Sequence, residues 1–240
     1  MLLDKVSVQM YSVRKVEDDF DGRLKRLAEM GFAGVELAGN ALTPAEMNAA
    51  QLKYGIKVVS SHINHTKLLA EIDQHIEYNL AIGNHRLACS KAEMCDRDSA
   101  LRVAEDLNRF GEKCKKNGMI FSYHNHAHEF VKDGDQYLLD ILYANTDPGL
   151  VKVQFDVYWI TRGGADPVEM INKYSGRVPT MHLKDGTAET QEMAVGEGPI
   201  DFPAIITAAK AAGTVEFIVE TESKTDEYGV VSRSLNYLTK

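Results

Sequence analysis

Cysteine is scarce. Cys89, Cys95 and Cys114 are the only three in 240 residues. Three at irregular spacing cannot build a disulfide framework, so a reduced, cytoplasmic protein is expected. Long apolar runs are missing as well. No stretch approaches the roughly 18 apolar residues that a membrane helix needs. The segment holding Asp4, Lys5, Arg14 and Lys15 has no signal-peptide apolar region. Positive charge is in deficit: 27 Lys and Arg stand against 35 Asp and Glu, for a net charge of −8. With no clustered basic face, a nucleic-acid partner is not expected. Low-complexity tracts are absent and 44% of the residues are hydrophobic, which excludes intrinsic disorder. No GxGxxG or Walker motif follows the first apolar run, where Tyr11-Ser-Val-Arg stands instead.

What is present is a repeat. A glycine precedes each of seven short apolar runs, at Gly31, Gly55, Gly83, Gly118, Gly149, Gly176 and Gly213. They lie 24 to 37 residues apart, about the length of one βα unit. Each falls where a helix should end, and only glycine takes the left-handed closing conformation cheaply. The intervening segments carry helical periodicity, as in Ala100, Val103, Ala104, Leu107 and Cys114. Thr43-Pro-Ala-Glu and Asp166-Pro-Val-Glu are helix starts, and Asp201-Phe-Pro-Ala is a weaker one. With a first strand over Val6 to Met10, the pattern gives eight strands, each followed by a helix. The expectation is an α/β chain forming one closed (β/α)8 TIM barrel over residues 1–240. A doubly wound open sheet is the alternative.

Catalytic groups of such a barrel sit at the C-terminal ends of its strands. Those ends read Gln9, Glu36, His62, Cys89, His124, Asp156, His182 and Glu220. His124, Asp156, His182 and Glu220 come from four successive strands, and two imidazoles with two carboxylates can converge on one divalent ion. Mixed nitrogen and oxygen ligation favours Mn²⁺, Co²⁺, Zn²⁺ or Fe²⁺ over Ca²⁺. Read singly, each has an ordinary explanation: a packed histidine, an N-capping aspartate or a glutamate paired with arginine. Strand alternation places His126 on the same side as His124, with His128 and Glu129 in the following loop. Cys89 reads as packing.

The strings Gly34-Val-Glu-Leu, Tyr123-His-Asn-His, Phe155-Asp-Val-Tyr-Trp159, Met181-His-Leu-Lys-Asp185, Gly196-Glu-Gly-Pro-Ile-Asp201 and Val219-Glu-Thr-Glu222 resemble the sugar phosphate isomerase/epimerase family, the xylose-isomerase-like TIM barrels. The resemblance runs from Gln9 to Glu222. It implies one divalent ion, Mn²⁺ first, with Co²⁺, Zn²⁺, Fe²⁺ or Mg²⁺ as alternatives, held by His124, Asp156, His182 and Glu220. The chain departs at the first of these, because the sugar epimerases carry a glutamate where His124 stands. That glutamate is one of their two acid/base carboxylates, so a symmetric two-glutamate mechanism does not carry over.

The implied substrate is a small carbohydrate. An ion chelating a keto sugar stabilises the enediolate left when an α-proton departs. Glu220 is the expected base, and Lys184 and His124 are further catalytic candidates. Glu36 and Glu129 also compete for the second acid/base role. Gln9, Glu36, His62, His126 and Trp159 are candidate substrate contacts, although Glu36 and His62 also read as a structural ion pair. Gly196-Glu-Gly-Pro reads as a mobile loop that covers the pocket. The leading expectation is a metal-dependent isomerase or epimerase. The same enolate serves a lyase, a dehydratase or a keto-glycoside-cleaving enzyme. A non-catalytic sugar-binding barrel and an endonuclease IV-like nuclease are the remaining readings. A homo-oligomer is compatible with a barrel of this size.

Overall fold

The computed structural model describes residues 2–39 and 41–240. Among them, eight parallel strands close into a barrel. They are β1 (Ser7–Gln9), β2 (Gly34–Ala38), β3 (Lys57–Ile63), β4 (Arg86–Cys89), β5 (Ile120–His124), β6 (Val151–Asp156), β7 (Thr180–Leu183) and β8 (Glu216–Val219). Each strand pairs with its neighbours in chain order, and β8 closes on β1 through Ser7↔Ile218 and Val8↔Val219. The expected TIM barrel is therefore the observed fold. The strands are apolar on both sides, because one face fills the barrel and the other packs under helices.

The helices are α1 (Phe20–Met30), α2 (Pro44–Tyr54), α3 (His65–Ala81), α4 (Arg97–Lys116), α5 (Leu138–Ala144), α6 (Val157–Arg162), α7 (Pro167–Lys173), α8 (Phe202–Ala211) and α9 (Glu227–Thr239). Their starts follow the sequence signals. Thr43 and Glu46 form a reciprocal capping box around Pro44, and Asp166 and Asp201 cap α7 and α8. No helix among the described residues is long and apolar enough to cross a membrane.

Three local departures from the expected repeat have identifiable causes. β1 ends at Gln9, because the Gln9 side chain accepts from the Tyr11 amide and starts a 3₁₀ turn at Met10. The segment after β5 holds a 3₁₀ turn, a two-stranded hairpin (132–137) and only the short α5. The segment after β6 is split into α6 and α7, since Gly163-Gly164 stops one helix and Asp166-Pro167 starts another. Six of the seven repeat glycines have positive φ; Gly149 does not, because it lies in the turn that follows Pro148 rather than at a helix end. Gly34 is fixed by space. A Cβ there would come within 2.5 Å of Val59 and 2.9 Å of the Lys57 carbonyl. The adjacent register shift at Val35/Glu36 is a β-bulge.

Candidate metal and active site

Strand register delivers the site. Asp156 on β6 lies opposite His182 on β7, and His124 on β5 lies opposite Gln154 on β6. Glu220 follows β8 directly. One donor atom from each of His124, Asp156, His182 and Glu220 lies within 4.8 Å of the other three. All four side chains are buried. His124 and Glu220 line a cavity of about 310 Å³ at the C-terminal mouth, together with Gln9, His62, His126 and Glu222.

The first carboxyl oxygen of Asp156 caps α6 by accepting from the Tyr158 and Trp159 amides at 2.9 and 3.2 Å. Its second oxygen, Oδ2, is buried without a hydrogen-bond partner, and so is His124 Nδ1. Unmet buried acceptors are costly. Two of them in one four-residue cluster are what a cation-binding site leaves open. The cluster offers two nitrogens and two carboxylates, a donor set suited to a first-row divalent ion. The residues therefore fit the group that the sequence implied.

Charge in the site is arranged around His182. Its Nδ1 lies 2.9 Å from Glu220 Oε2, and its Nε2 lies 2.5 Å from Glu36 Oε1. Burial disfavours the imidazolium, but Glu36 and Glu220 outweigh burial and lift its pKa to about 10. Burial also raises Glu36, yet His62 and His182 bring it down to about 2. Burial pushes Asp156 up to about 7, against the pull of Lys184. His124 is driven well below the usual imidazole range by burial and by the neighbouring His182 and His62, so its ring stays neutral with a lone pair. Glu220 is held well below the carboxylate range, because Lys184 and His182 overcome the effect of burial.

Lys184 is fully buried. Its ammonium donates to Glu222 Oε1 at 2.5 Å and Glu220 Oε1 at 3.4 Å, and it stands 4.8 Å from the Trp159 ring centre. Burial would lower its pKa, but Glu220, Asp156 and Glu222 raise it above the usual lysine value. The adjacent Asp185 is not its partner. That carboxylate accepts from the Gly186, Gly196 and Gly198 amides. Gly196-Glu-Gly is thereby tied down, with Glu197 paired to Arg233 on α9, and none of its residues lines the mouth cavity. The expected covering loop is an anchored one.

The remaining candidates separate by position. Gln9, His62 and His126 face the mouth cavity. Trp159 stands 5.5 Å from His126, ring centre to ring centre, and lines a neighbouring 220 Å³ cavity with Tyr158, Arg162 and Glu222. Glu36, read in the sequence both as a substrate contact and as a structural ion pair with His62, is fully buried, and its oxygens are taken by Gln9, His62, Gln154 and His182. Glu129 is similarly occupied, accepting from Tyr123 Oη at 2.6 Å and the His126 amide at 2.8 Å, so it fastens the loop. His128 bonds the Ala92 carbonyl. Cys89 is buried, and burial raises its thiol pKa, as expected of packing. Gln154 and Glu222 escaped the sequence reading. The signal was available for Gln154, which lies two residues before Asp156 on the same strand and so on the same side; Glu222 lies beyond the end of β8, where alternation does not apply.

Residues 24–240 match the family model described as xylose isomerase-like TIM barrel. The chain is 26% identical over 211 residues to an inosose dehydratase of Geobacillus kaustophilus, covering 76% of this chain and 67% of that protein. It is 32% identical over 111 residues to an inosose dehydratase of Clostridium beijerinckii, a match spanning 42% of this chain and 37% of that one. Among solved structures, a sugar phosphate isomerase/epimerase of Parabacteroides distasonis superposes with a TM-score of 0.85 at 26% identity, covering 98% of this chain and 93% of that one.

Proposed function

Since the chain belongs to the xylose isomerase-like TIM barrel family, we propose that it is a divalent-metal-dependent isomerase or epimerase of a keto carbohydrate. The observation that carries this reading is the pair of unpartnered buried acceptors, Asp156 Oδ2 and His124 Nδ1, beside His182 and Glu220 under an open cavity. His124, Asp156, His182 and Glu220 would hold the ion. When bound, it supplies Lewis-acid polarisation of a carbonyl and offsets enediolate charge.

The chain's own residues do the rest. Glu220 reaches the cavity and is kept ionised by Lys184 and His182, so it accepts the α-proton of a ketone seated there. The Lys184 ammonium lies behind Glu220, and its hydrogen bond to that carboxylate holds the base ionised and in place. Gln9, His62 and His126 bind hydroxyl groups along the wall. Trp159 contributes an apolar face beside Lys184 and shields that hydrogen bond from water. Return of the proton to the opposite face gives an epimer, and return to the adjacent carbon gives an isomer. Three unpaired cysteines fit a reducing, cytoplasmic setting.

Elimination is the second reading, favoured by two observations. The first position of the donor set is a neutral imidazole, His124, which removes one carboxylate from the acid/base pair. The curated relatives are named inosose dehydratases. In that case the enediolate expels a β-hydroxyl group, which leaves as water with the proton that Glu220 took from the α-carbon.

Elemental mass spectrometry of the protein and of Asp156→Asn is the first test. About one divalent ion per chain, lost in the variant, supports the site, and no ion after soaking in Mn²⁺, Co²⁺ and Zn²⁺ refutes it. Keto sugars and keto-inositols are then incubated in deuterium oxide. Deuterium incorporation without loss of water marks isomerisation, and growth of enone absorbance marks elimination.

A further inference from the structure

One buried carboxylate belongs neither to the cavity wall nor to the four-donor set. Glu36 on β2 is fully buried, and side chains from four other strands converge on it. Gln9 Nε2 donates to Oε1 at 2.7 Å, and His62 Nε2 lies 3.0 Å from the same oxygen. Gln154 Nε2 donates to Oε2 at 2.8 Å, and His182 Nε2 donates to Oε1 at 2.5 Å. A buried carboxylate is a poor device for stability alone, because well-packed apolar residues serve as well or better. Its arrangement makes sense through His182. To ligate an ion the His182 imidazolium must give up one proton, and a ring that keeps its Nε2 proton on Glu36 then carries its lone pair on Nδ1. Here Nδ1 faces Glu220, another member of the four-donor set.

Resting on the metal-dependent reading of the site, we propose that Glu36 is a positioning residue that holds His182 with Nδ1 aimed into the four-donor centre and so sets the affinity for the divalent ion. Its own position is fixed from three sides. Gln9 and Gln154 each anchor one of its oxygens. The Gln154 Oε1 atom accepts from His62 Nε2 at 2.6 Å. The His62 ring stacks on His182, with centres 5.0 Å apart and planes 5° from parallel, so the ring of His182 cannot turn over freely. A carboxylate on the far nitrogen of a ligating histidine commonly contributes about 10–100-fold in metal affinity.

The test needs no substrate. The protein, Glu36→Leu and Glu36→Gln are titrated with Mn²⁺, followed by the electron-spin-resonance signal of the free ion. The d–d absorption of the Co²⁺-loaded forms reports coordination geometry. Thr214→Val is the control, since it removes a buried hydrogen bond to the Val178 carbonyl at the opposite end of the barrel. Glu36→Leu is expected to bind Mn²⁺ about 10–100-fold more weakly, with a changed Co²⁺ spectrum. Glu36→Gln keeps an acceptor and falls between, and Thr214→Val matches the parent. Unchanged affinity and spectrum in Glu36→Leu would overturn the positioning role and leave the metal reading intact. An equal loss in Thr214→Val would overturn it too, because any destabilisation would then suffice. Should Glu36→Leu fail to fold, parental affinity and spectrum in Glu36→Gln overturn it. A parent protein that takes up no Mn²⁺, Co²⁺ or Zn²⁺ overturns both this role and the reading beneath it.

Discussion

Ser61, Asn79 and Asn84 form one buried polar cluster, where β3, α3 and the start of β4 meet; Glu36, His62, His124, Asp156, His182, Lys184 and Glu220 form another at the mouth. The first is neutral and closed. Ser61 Oγ and Asn84 Nδ2 both donate to Asn79 Oδ1 at 2.6 Å, Asn79 Nδ2 donates to the His75 carbonyl at 2.7 Å, and Asn84 bonds the Arg86 backbone through both ends of its amide. The second is charged and open. It binds carboxylates to cations through short contacts, yet leaves Asp156 Oδ2 and His124 Nδ1 without partners. Both are buried, and both cost desolvation. A cluster that satisfies itself stabilises the fold. A cluster that keeps acceptors free at the floor of a cavity holds capacity for something else.

Substitutions can break this contrast in order of size. Glu220→Gln removes the proposed base, and kcat on the keto substrate is expected to fall by about 10²–10⁴, with the far-UV circular dichroism unchanged. A fall below tenfold would remove Glu220 from proton transfer. In the closed cluster the effect moves to stability. Asn79→Leu strands Ser61 and Asn84, and about 2–4 kcal/mol should be lost, lowering the melting temperature by roughly 5–15 °C. Bound metal per chain stays as in the parent; loss of metal in this variant would erase the distinction between the clusters.

Chelation is the next smaller step and sharpens the comparison within one molecule. Stripping the ion should lower stability by about 2.7 kcal/mol relative to a solution holding it at 100 times Kd. Restoring Mn²⁺ should restore the melting temperature, which differential scanning calorimetry would follow. The smallest effect is optical. Trp159 is the sole tryptophan and lies beside Lys184 and His126, so its emission should change when a ligand enters the mouth. Emission insensitive to a saturating substrate would place binding away from this wall.

The closed cluster and the open one were unequally legible. Asp156, His182 and Glu220 stood out because each ends an apolar run, and a barrel turns that position into a mouth position. Glu36 stood out for the same reason, but its environment did not: only the bulge at Val35/Glu36 and the convergence of five strands reveal that it faces His182 rather than the cavity. Glu129 looked free in the string Tyr123-His-Asn-His-Ala-His-Glu129, and Tyr123 had already taken it. Asn79, sixteen residues from the end of β3 and inside a helix, gave no signal at all.

The sequence by itself determined the alternation of strands and helices, the helix starts at Thr43, Asp166 and Asp201, and the set of strand-end residues. These are local matters, governed by periodicity, capping and the conformational freedom of glycine. Tertiary structure decided which acceptors stay unpartnered, which carboxylate pairs with which cation, and where Lys184 points. Those outcomes depend on distances between strands far apart in the chain, such as the 146 residues between Glu36 and His182. Barrel closure sets such distances through register and shear, and no local pattern carries that information.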